Sequence, residues 1–287
     1  MDLPYLKRYS EYTDANIFAE NIEQGEIEHY QLEAGSFYGE LTQIISDPVI
    51  ISTHSMDLPM LQCGIGRKGY ISFLIPGDMT QDVSWRKYRL TGKQIGILKS
   101  EGLHFGITPR NFFATPVSLR NEYFAELIQK HGYDDKMYDL VHQAEAIELD
   151  QEDAFRIQQM VISLCRATKL DHYLMSVELP KLILKSISNI AEALPEQVVN
   201  SRNSMISNIL AYIQDNLEHK ITTLDIASAL DLSERNLRYL FNDLIGVSPM
   251  KYIKLIKLNK VRKEIKDARD NGMIYLIANK WGFINSG

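Results

Sequence analysis

Arg235, Asn236, Arg238 and Tyr239 fall within five consecutive positions of the segment ERNLRYLF. An arginine can donate twice to guanine O6 and N7, and a tyrosine can lie against a base methyl or reach a phosphate. Four such side chains on one exposed surface would suit the edges of base pairs, provided that the backbone presents them together. The stretch Ile221 to Phe241, ITTLDIASALDLSERNLRYLF, supplies that backbone as two short helices with a tight break between them. Thr222 or Thr223 can cap the first helix and Ser233 the second. Leu224, Ile226, Ala227 and Leu230 on the first would cross Leu237, Leu240 and Phe241 on the second and bury one seam. Glu234, Arg235, Arg238 and Tyr239 are then left facing outward, as in a helix-turn-helix unit that offers its second helix to the DNA major groove. An ordinary antiparallel helix pair would show the same pattern. Arg238 could also pair with Glu234 one turn earlier, and Ser233 serves first as a cap at a helix N-terminus that can face phosphate.

Other side chains with chemical potential are more scattered. His29, His54, His104 and Glu101 could in principle hold a metal in a β-barrel, but no His-x-His pair or consistent carboxylate spacing joins them. No Gly-rich phosphate loop or Ser/His/Asp signature is present, so no enzyme activity, cofactor or metal is expected. The two cysteines, Cys63 and Cys165, have no redox or metal spacing and are expected as buried thiols of a cytoplasmic protein. The first residues lack a secretory pattern, and no apolar run approaches the roughly 20 residues that span a bilayer, so no membrane partner is expected.

The 287 residues are 45% hydrophobic and 24% charged, a globular composition, with a net charge of −6. That charge is unevenly placed: residues 1–200 carry a balance of −10 and residues 201–287 a balance of +4. An acidic front and a basic back fit a chain of which only the back meets phosphate.

The elements follow suit. Residues 1–120 hold short alternating segments at Glu26–Leu32, Phe37–Ser46, Val49–His54, Leu61–Ile65, Gly69–Ile75 and Gln94–Lys99, separated by Gly and Pro turns, which predict a small barrel or sandwich. Residues 121–195 read as helices, the last of them (His172 to Leu194) strongly apolar, interrupted at Pro180 and a candidate dimer surface. Residues 196–203 form a polar linker. From Ser204 come a further helix, the Ile221–Phe241 pair, a long basic helix from Pro249 to Arg269 with apolar residues from Tyr252 to Ile265, and a last helix from Met273 to Lys280. On the basic helix Lys251 and Lys254 are candidate phosphate contacts, with Lys257, Lys260 and Lys263 either similar or simply solvated.

From Ser204 onward this order resembles the AraC/XylS-type transcription regulators, whose DNA-binding domain joins two helix-turn-helix units by a long helix. The resemblance rests on Leu224, Ile226-Ala227, Leu232-Ser233, Arg235, Leu237, Phe241, Gly246, Ser248-Pro249 and Tyr252, with Lys257-Leu258 where the family commonly has Arg-Leu and Val261-Arg262 where it commonly has Ala-Arg. Ile274, Ile277-Ala278 and Gly282-Phe283 match the opening of a second unit. It implies an α+β protein: an N-terminal β-rich, cupin-like barrel or sandwich sensor and dimerisation domain (1–195), then an all-α helix-turn-helix domain (204–287). It further implies a bacterial, cytoplasmic homodimer associated through N-terminal-domain helices. Its partners would be double-stranded DNA, a small-molecule effector and, on this reading, RNA polymerase. Arg235, Asn236, Arg238 and Tyr239, with Ser233, take the groove-facing positions. Family members continue beyond the Gly-Phe pair into a second recognition helix, which this sequence lacks, so weak DNA affinity and an uncovered patch at Met273, Leu276, Ile277, Trp281 and Phe283 are expected. A modulator that pairs with full-length regulators without binding DNA is the alternative reading.

Overall fold

The computed structural model describes residues 4–75, 77, 83–85, 88–90, 93–100, 103–133, 136–188, 200–267 and 274–283. Glu101, Met273, residues 189–199, the end of the long basic helix beyond Asp267 and the last four residues lie outside them. The chain divides into two compact units, residues 1–197 and 198–287.

The first unit is a sandwich of two antiparallel sheets. One contains β1 (Tyr5–Tyr12), β3 (Gly39–Ser46), β4 (Val49–Met56), β12 (Val117–Arg120), β6 (Tyr70–Leu74), β9 (Gln94–Leu98) and β13 (Ala146–Glu148) in that spatial order, with β11 (Phe112–Ala114) also paired to β4. The other runs β2 (Gly25–Gln31), β5 (Met60–Gly66), β10 (His104–Thr108), β7 (Val83–Trp85) and β8 (Tyr88–Leu90). Between the sheets lie Phe37, Leu41, Met56, Met60, Trp85 and Leu98, joined by Phe18 of the short helix α1 (Ala15–Glu20).

Four helices cover the outer face of the larger sheet: α2 (Asn121–Lys130), α3 (Lys136–Gln143), α4 (Gln151–Arg166) and α5 (Leu179–Ser188). Ile44, Val49, Ile51, Phe73, Ile95, Ile97 and Val117 meet Phe124, Val141, Ile157, Val161, Ile183 and Ile187 there. β4, inside this sheet, is buried on both faces, which is why Val49 to Ile51 reads as an unbroken apolar run rather than an alternation, with the Ser52 that follows also buried.

Pro180 interrupts the α-helical hydrogen bonding without ending the helix, which runs unbroken from His172 to Ser188. It stands at the second position of α5, behind a π-helical turn at Leu174–Glu178. A proline has no N–H to return to the carbonyl four residues earlier. That carbonyl, of Ser176, instead accepts the Tyr123 hydroxyl from α2.

The second unit is all-helical: α6 (Asn200–Asp215), α7 (Thr223–Ala229), α8 (Glu234–Leu244), α9 (Pro249–Asp267) and α10 (Ile274–Lys280). Residues 200–203, expected within the linker, are instead the first turn of α6. Once Ile206, Ile209, Leu210 and Ile213 are buried, extending the helix by a polar turn adds one hydrogen bond per residue fixed. Leu224 corrects another expectation. It is 60% exposed, because it lies on the first turn of α7 and points away from the face that carries Ile226 and Ala227. Leu258, expected in the apolar side of α9, is also exposed, and Tyr252, Ile253 and Ile256 form the buried seam.

Candidate nucleic-acid interface

The helix pair that carries the basic side chains is closed by local hydrogen bonds that its sequence dictates. Thr222, not Thr223, caps α7: its hydroxyl accepts the Asp225 N–H at 3.2 Å while the Asp225 carboxylate accepts the Thr222 N–H at 2.8 Å. Donation from Thr222, by its hydroxyl and its N–H, holds the Asp225 carboxyl below its usual pKa. After α7 the backbone turns at Asp231, with φ of 53°, and the Leu232 N–H returns to the Ala227 carbonyl at 2.8 Å. Ser233 then opens α8, its hydroxyl accepting the Asn236 N–H at 3.2 Å. Changing Ser233 to Ala is expected to cost about 1 kcal/mol of stability in this unit, while Asp at the same position retains most of it. Urea unfolding followed by circular dichroism reads the difference, and an unchanged midpoint in the alanine variant would reject the capping role.

Along α8 the two faces separate cleanly. Leu237, Leu240, Phe241 and Leu244 are buried, with Phe241 edge-on to Tyr252 of α9 at 5.7 Å between ring centroids. Arg235, Asn236, Arg238 and Tyr239 are all exposed, Tyr239 at 58%. The pairing of Arg238 with Glu234 also exists, at 3.0 Å. Both groups are well exposed, and an i, i+4 pair of this kind contributes about 0.3–0.5 kcal/mol, far too little to hold the guanidinium back from a competing acceptor. Gly246 ends α8 at φ of 81°, its N–H bonded to the Phe241 carbonyl at 3.0 Å.

Ser248 and Pro249 start α9 as cap and first residue, with the Lys251 N–H donating to the Ser248 hydroxyl at 3.3 Å. Lys251 and Lys254 project into solvent. Lys257 has a different task. Its ammonium donates to the His219 carbonyl at 2.9 Å, and partial burial lowers its pKa. It ties α9 to the segment after α6.

Helix α10 repeats α7. Each has seven residues and contains an Ile-Ala pair; each is followed by a positive-φ residue (Asp231 at 53°, Gly282 at 82°). Each then closes with an N–H returned five residues back, Leu232 to Ala227 and Phe283 to Ala278, both at 2.8 Å. Of the patch expected to lie uncovered, Ile277 and Trp281 are in fact buried. The Trp281 indole and the Lys280 ammonium both donate to Glu264 Oε1 on α9, at 3.1 and 2.7 Å. Leu276 is exposed, as expected, together with Ile274 and Tyr275, while Phe283 is half-buried.

The histidines of the rival metal reading sit inside the first unit. His29 and His54 come from different sheets and both contact the Phe18 ring, at 5.7 and 6.1 Å. Their Nε2 atoms are engaged by Gln62 and Ser52, each at 3.0 Å. His104 stacks on Trp85 and bonds the Lys99 backbone. Among the described residues no group of three or more His, Cys, Asp or Glu is placed to hold a metal ion. Cys63 and Cys165 are buried and form no disulfide, the latter with its thiol pKa pushed up to about 12 by burial. No described helix is long and apolar enough to cross a membrane.

No known family's sequence profile matches the chain. Among curated proteins, the "Probable thc operon regulatory protein" of Rhodococcus erythropolis is 30% identical over 78 residues, 26% of this chain and 23% of that protein. The regulatory protein HrpB of Ralstonia nicotianae is 32% identical over 73 residues, 25% of this chain and 15% of that protein. The match thus spans less than a quarter of either relative's length. Among solved structures, the AraC-like transcriptional activator CuxR aligns over 86% of this chain and 88% of its own, with a TM-score of 0.43 and 13% identity. ToxT from Vibrio cholerae, in its P21 crystal form, aligns over 98% of this chain and 90% of its own, with a TM-score of 0.29 and 11% identity.

Proposed function

We propose that this chain is an AraC-type transcription regulator that acts in the bacterial cytoplasm and binds specific sites on double-stranded DNA through α8. The carrying observation is the division of that helix into a buried apolar face and an exposed stripe of Arg235, Asn236, Arg238 and Tyr239. In this reading Arg235 and Arg238 contact base edges, Asn236 and Tyr239 support them, and the capped N-terminus at Ser233 lies toward a phosphate. Lys251 and Lys254 add phosphate contacts that fix orientation without reading sequence. The repeated geometry of α7 and α10 supports a bipartite reader of which α8 is the first recognition helix.

The β-rich unit would admit the controlling signal, a small effector or a partner protein, and hold two copies together. The groove between α4 and α5 suits a second copy. It has a volume of about 600 Å³ and a floor of Phe155, Met160, Leu174 and Leu182, with Phe155 50% exposed. Glu178, at the end of the π-helical turn, and Lys185 of α5 also line it, so the same helical segment of a second copy running antiparallel sets Glu178 near the second copy's Lys185.

Selection of bound duplexes from a random DNA pool at physiological salt tests the function. One enriched motif, lost when Arg238 becomes Ala, is expected. Retention no better than that of bulk DNA would overturn the reading, and association with a full-length regulator without any DNA shift would replace it by the modulator alternative.

A further inference from the structure

We propose that the outer edge of β1 is a second self-association surface, where two copies of the chain pair their first strands antiparallel about a two-fold axis through Tyr9. This goes beyond the DNA-reading function and does not depend on it.

β1 is the terminal strand of the larger sheet. It pairs with β3 in an unbroken register from Tyr5↔Ser46 to Tyr12↔Gly39, and the described residues give its other edge no backbone partner. Folded proteins guard such edges with charged side chains, prolines, bulges, short strands or covering segments, and of these β1 has the charges of Lys7, Arg8 and Glu11. β1 has eight residues, YLKRYSEY, with no proline, glycine or bulge, and it exposes Leu6 and Tyr9 at 57% each and Tyr5 at 40%. An open edge of this length satisfies its outward N–H and C=O groups with water alone until another strand is added.

The charges on the strand choose the partner and the register. Glu11 lies directly opposite Glu40 of β3, a like-charge cross-strand pair that disfavours the sheet. Phenols are the hydrogen-bond donors to this pair: Tyr9 to Glu11 at 2.7 Å and Tyr38 to Glu40 at 2.9 Å. A strand that brings a cation opposite Glu11 would relieve the repulsion, and β1 itself carries Lys7 and Arg8.

A two-fold axis normal to the sheet must set residues of equal parity opposite one another, because successive side chains alternate faces. Centring on Lys7 or Arg8 opposes like charges, and centring on Ser10 pairs Glu11 with Tyr9. Centring on Tyr9 opposes Lys7 to the second copy's Glu11 twice and brings the two exposed Tyr9 rings together on the axis. Lys7 now gives one of its three donors to the Ala167 carbonyl, and Arg8 stays on Glu23 at 3.0 Å, inside its own protomer. Two different two-fold contacts on one chain, this one and the α4–α5 groove, propagate into a linear array rather than closing.

The full chain with Tyr9→Cys, oxidised gently, is expected to cross-link to itself, since directly opposed Cβ atoms lie about 4.5–5.5 Å apart and need only a small approach to the roughly 3.5–4.5 Å of a disulfide. Glu11→Cys alone should not cross-link to itself, whereas a mixture of Lys7→Cys and Glu11→Cys chains should cross-link. In sedimentation velocity Glu11→Lys should weaken association at this edge about ten-fold by setting two like-charge pairs in place of two ion pairs. Phe155→Glu, in the α4–α5 groove, should reduce the wild-type assemblies to pairs that the Tyr9→Cys bridge still captures. Cross-linking of Glu11→Cys with itself to the same extent as Tyr9→Cys, or assemblies that Glu11→Lys leaves unchanged, would overturn the proposal. Neither result would bear on DNA selection, which reads α8.

Discussion

Replacing Arg235 and Arg238 together by alanine is expected to weaken binding to the selected DNA site by about thirty-fold to twenty-thousand-fold. Each well-placed arginine that bonds a guanine edge with two donors discriminates by about 1–3 kcal/mol, so two give about 2–6 kcal/mol. The fold should survive, because both side chains are exposed and only the surface pair with Glu234 is lost from the free protein. Circular dichroism of the double variant should therefore match wild type. The form of the loss matters more than its size. A base-reading arginine loses affinity at particular base pairs and relaxes specificity there, leaving non-specific binding nearly intact. A phosphate-binding arginine weakens all sequences alike and reduces the salt dependence by about one counterion each. Lys254→Ala is the matched control, expected to give only the second pattern. Two arginine substitutions that shift every sequence equally would remove α8 from base readout, whatever the change in affinity.

That helix is the most legible part of the molecule from sequence. Its apolar residues recur at helical spacing, its cap is a serine at the expected place, and the basic residues between them have only one face left to occupy. Legibility fails where packing direction rather than periodicity decides. Leu224 and Leu258 have the right type and spacing for burial yet face solvent, because each stands where its helix has turned away from its neighbours. β1 carries no clear signal, since Lys7, Arg8 and Glu11 obscure its alternation, and an edge strand needs no apolar outer face. β7, β8 and β11 have only three residues each, too short for any period to emerge. The turn at Asp231 is legible only as a break, since aspartate is one of the few non-glycine types that adopt positive φ but does so too seldom for its presence alone to mark the position. His29 and His54 are 25 positions apart and belong to different sheets, and only the sandwich topology reveals that they share Phe18.

Those two histidines set the other large expected effect. Below neutral pH the first unit should lose stability steeply, by about 2.7 kcal/mol per pH unit if both rings stay neutral while folded. Burial drives both pKa values down from the usual 6.5 to about 3, and His29 lowers His54 further by proximity. Because the folded values lie below the unfolded ones, the unfolded chain binds the extra protons between about pH 6.5 and pH 3. Stability is therefore complete above pH 6.5 and falls progressively through that window, by about 4 kcal/mol at pH 5 against a total of roughly 5–15 kcal/mol for a typical domain. Each unit has one tryptophan, Trp85 or Trp281, so a Trp281→Phe chain lets indole fluorescence report urea unfolding of the first unit alone. Its midpoint should drop markedly from pH 7.5 to pH 5. With His29→Gln and His54→Gln combined, the starting value should be lower and the slope much flatter. A midpoint constant down to pH 5, or a slope that survives both substitutions, would show that the rings are not held neutral by the core. Zinc added at pH 7.5 separates this from the metal reading. Ligand histidines would bind the ion and raise the midpoint, whereas rings already engaged by Ser52 and Gln62 and packed against Phe18 should leave it where it was.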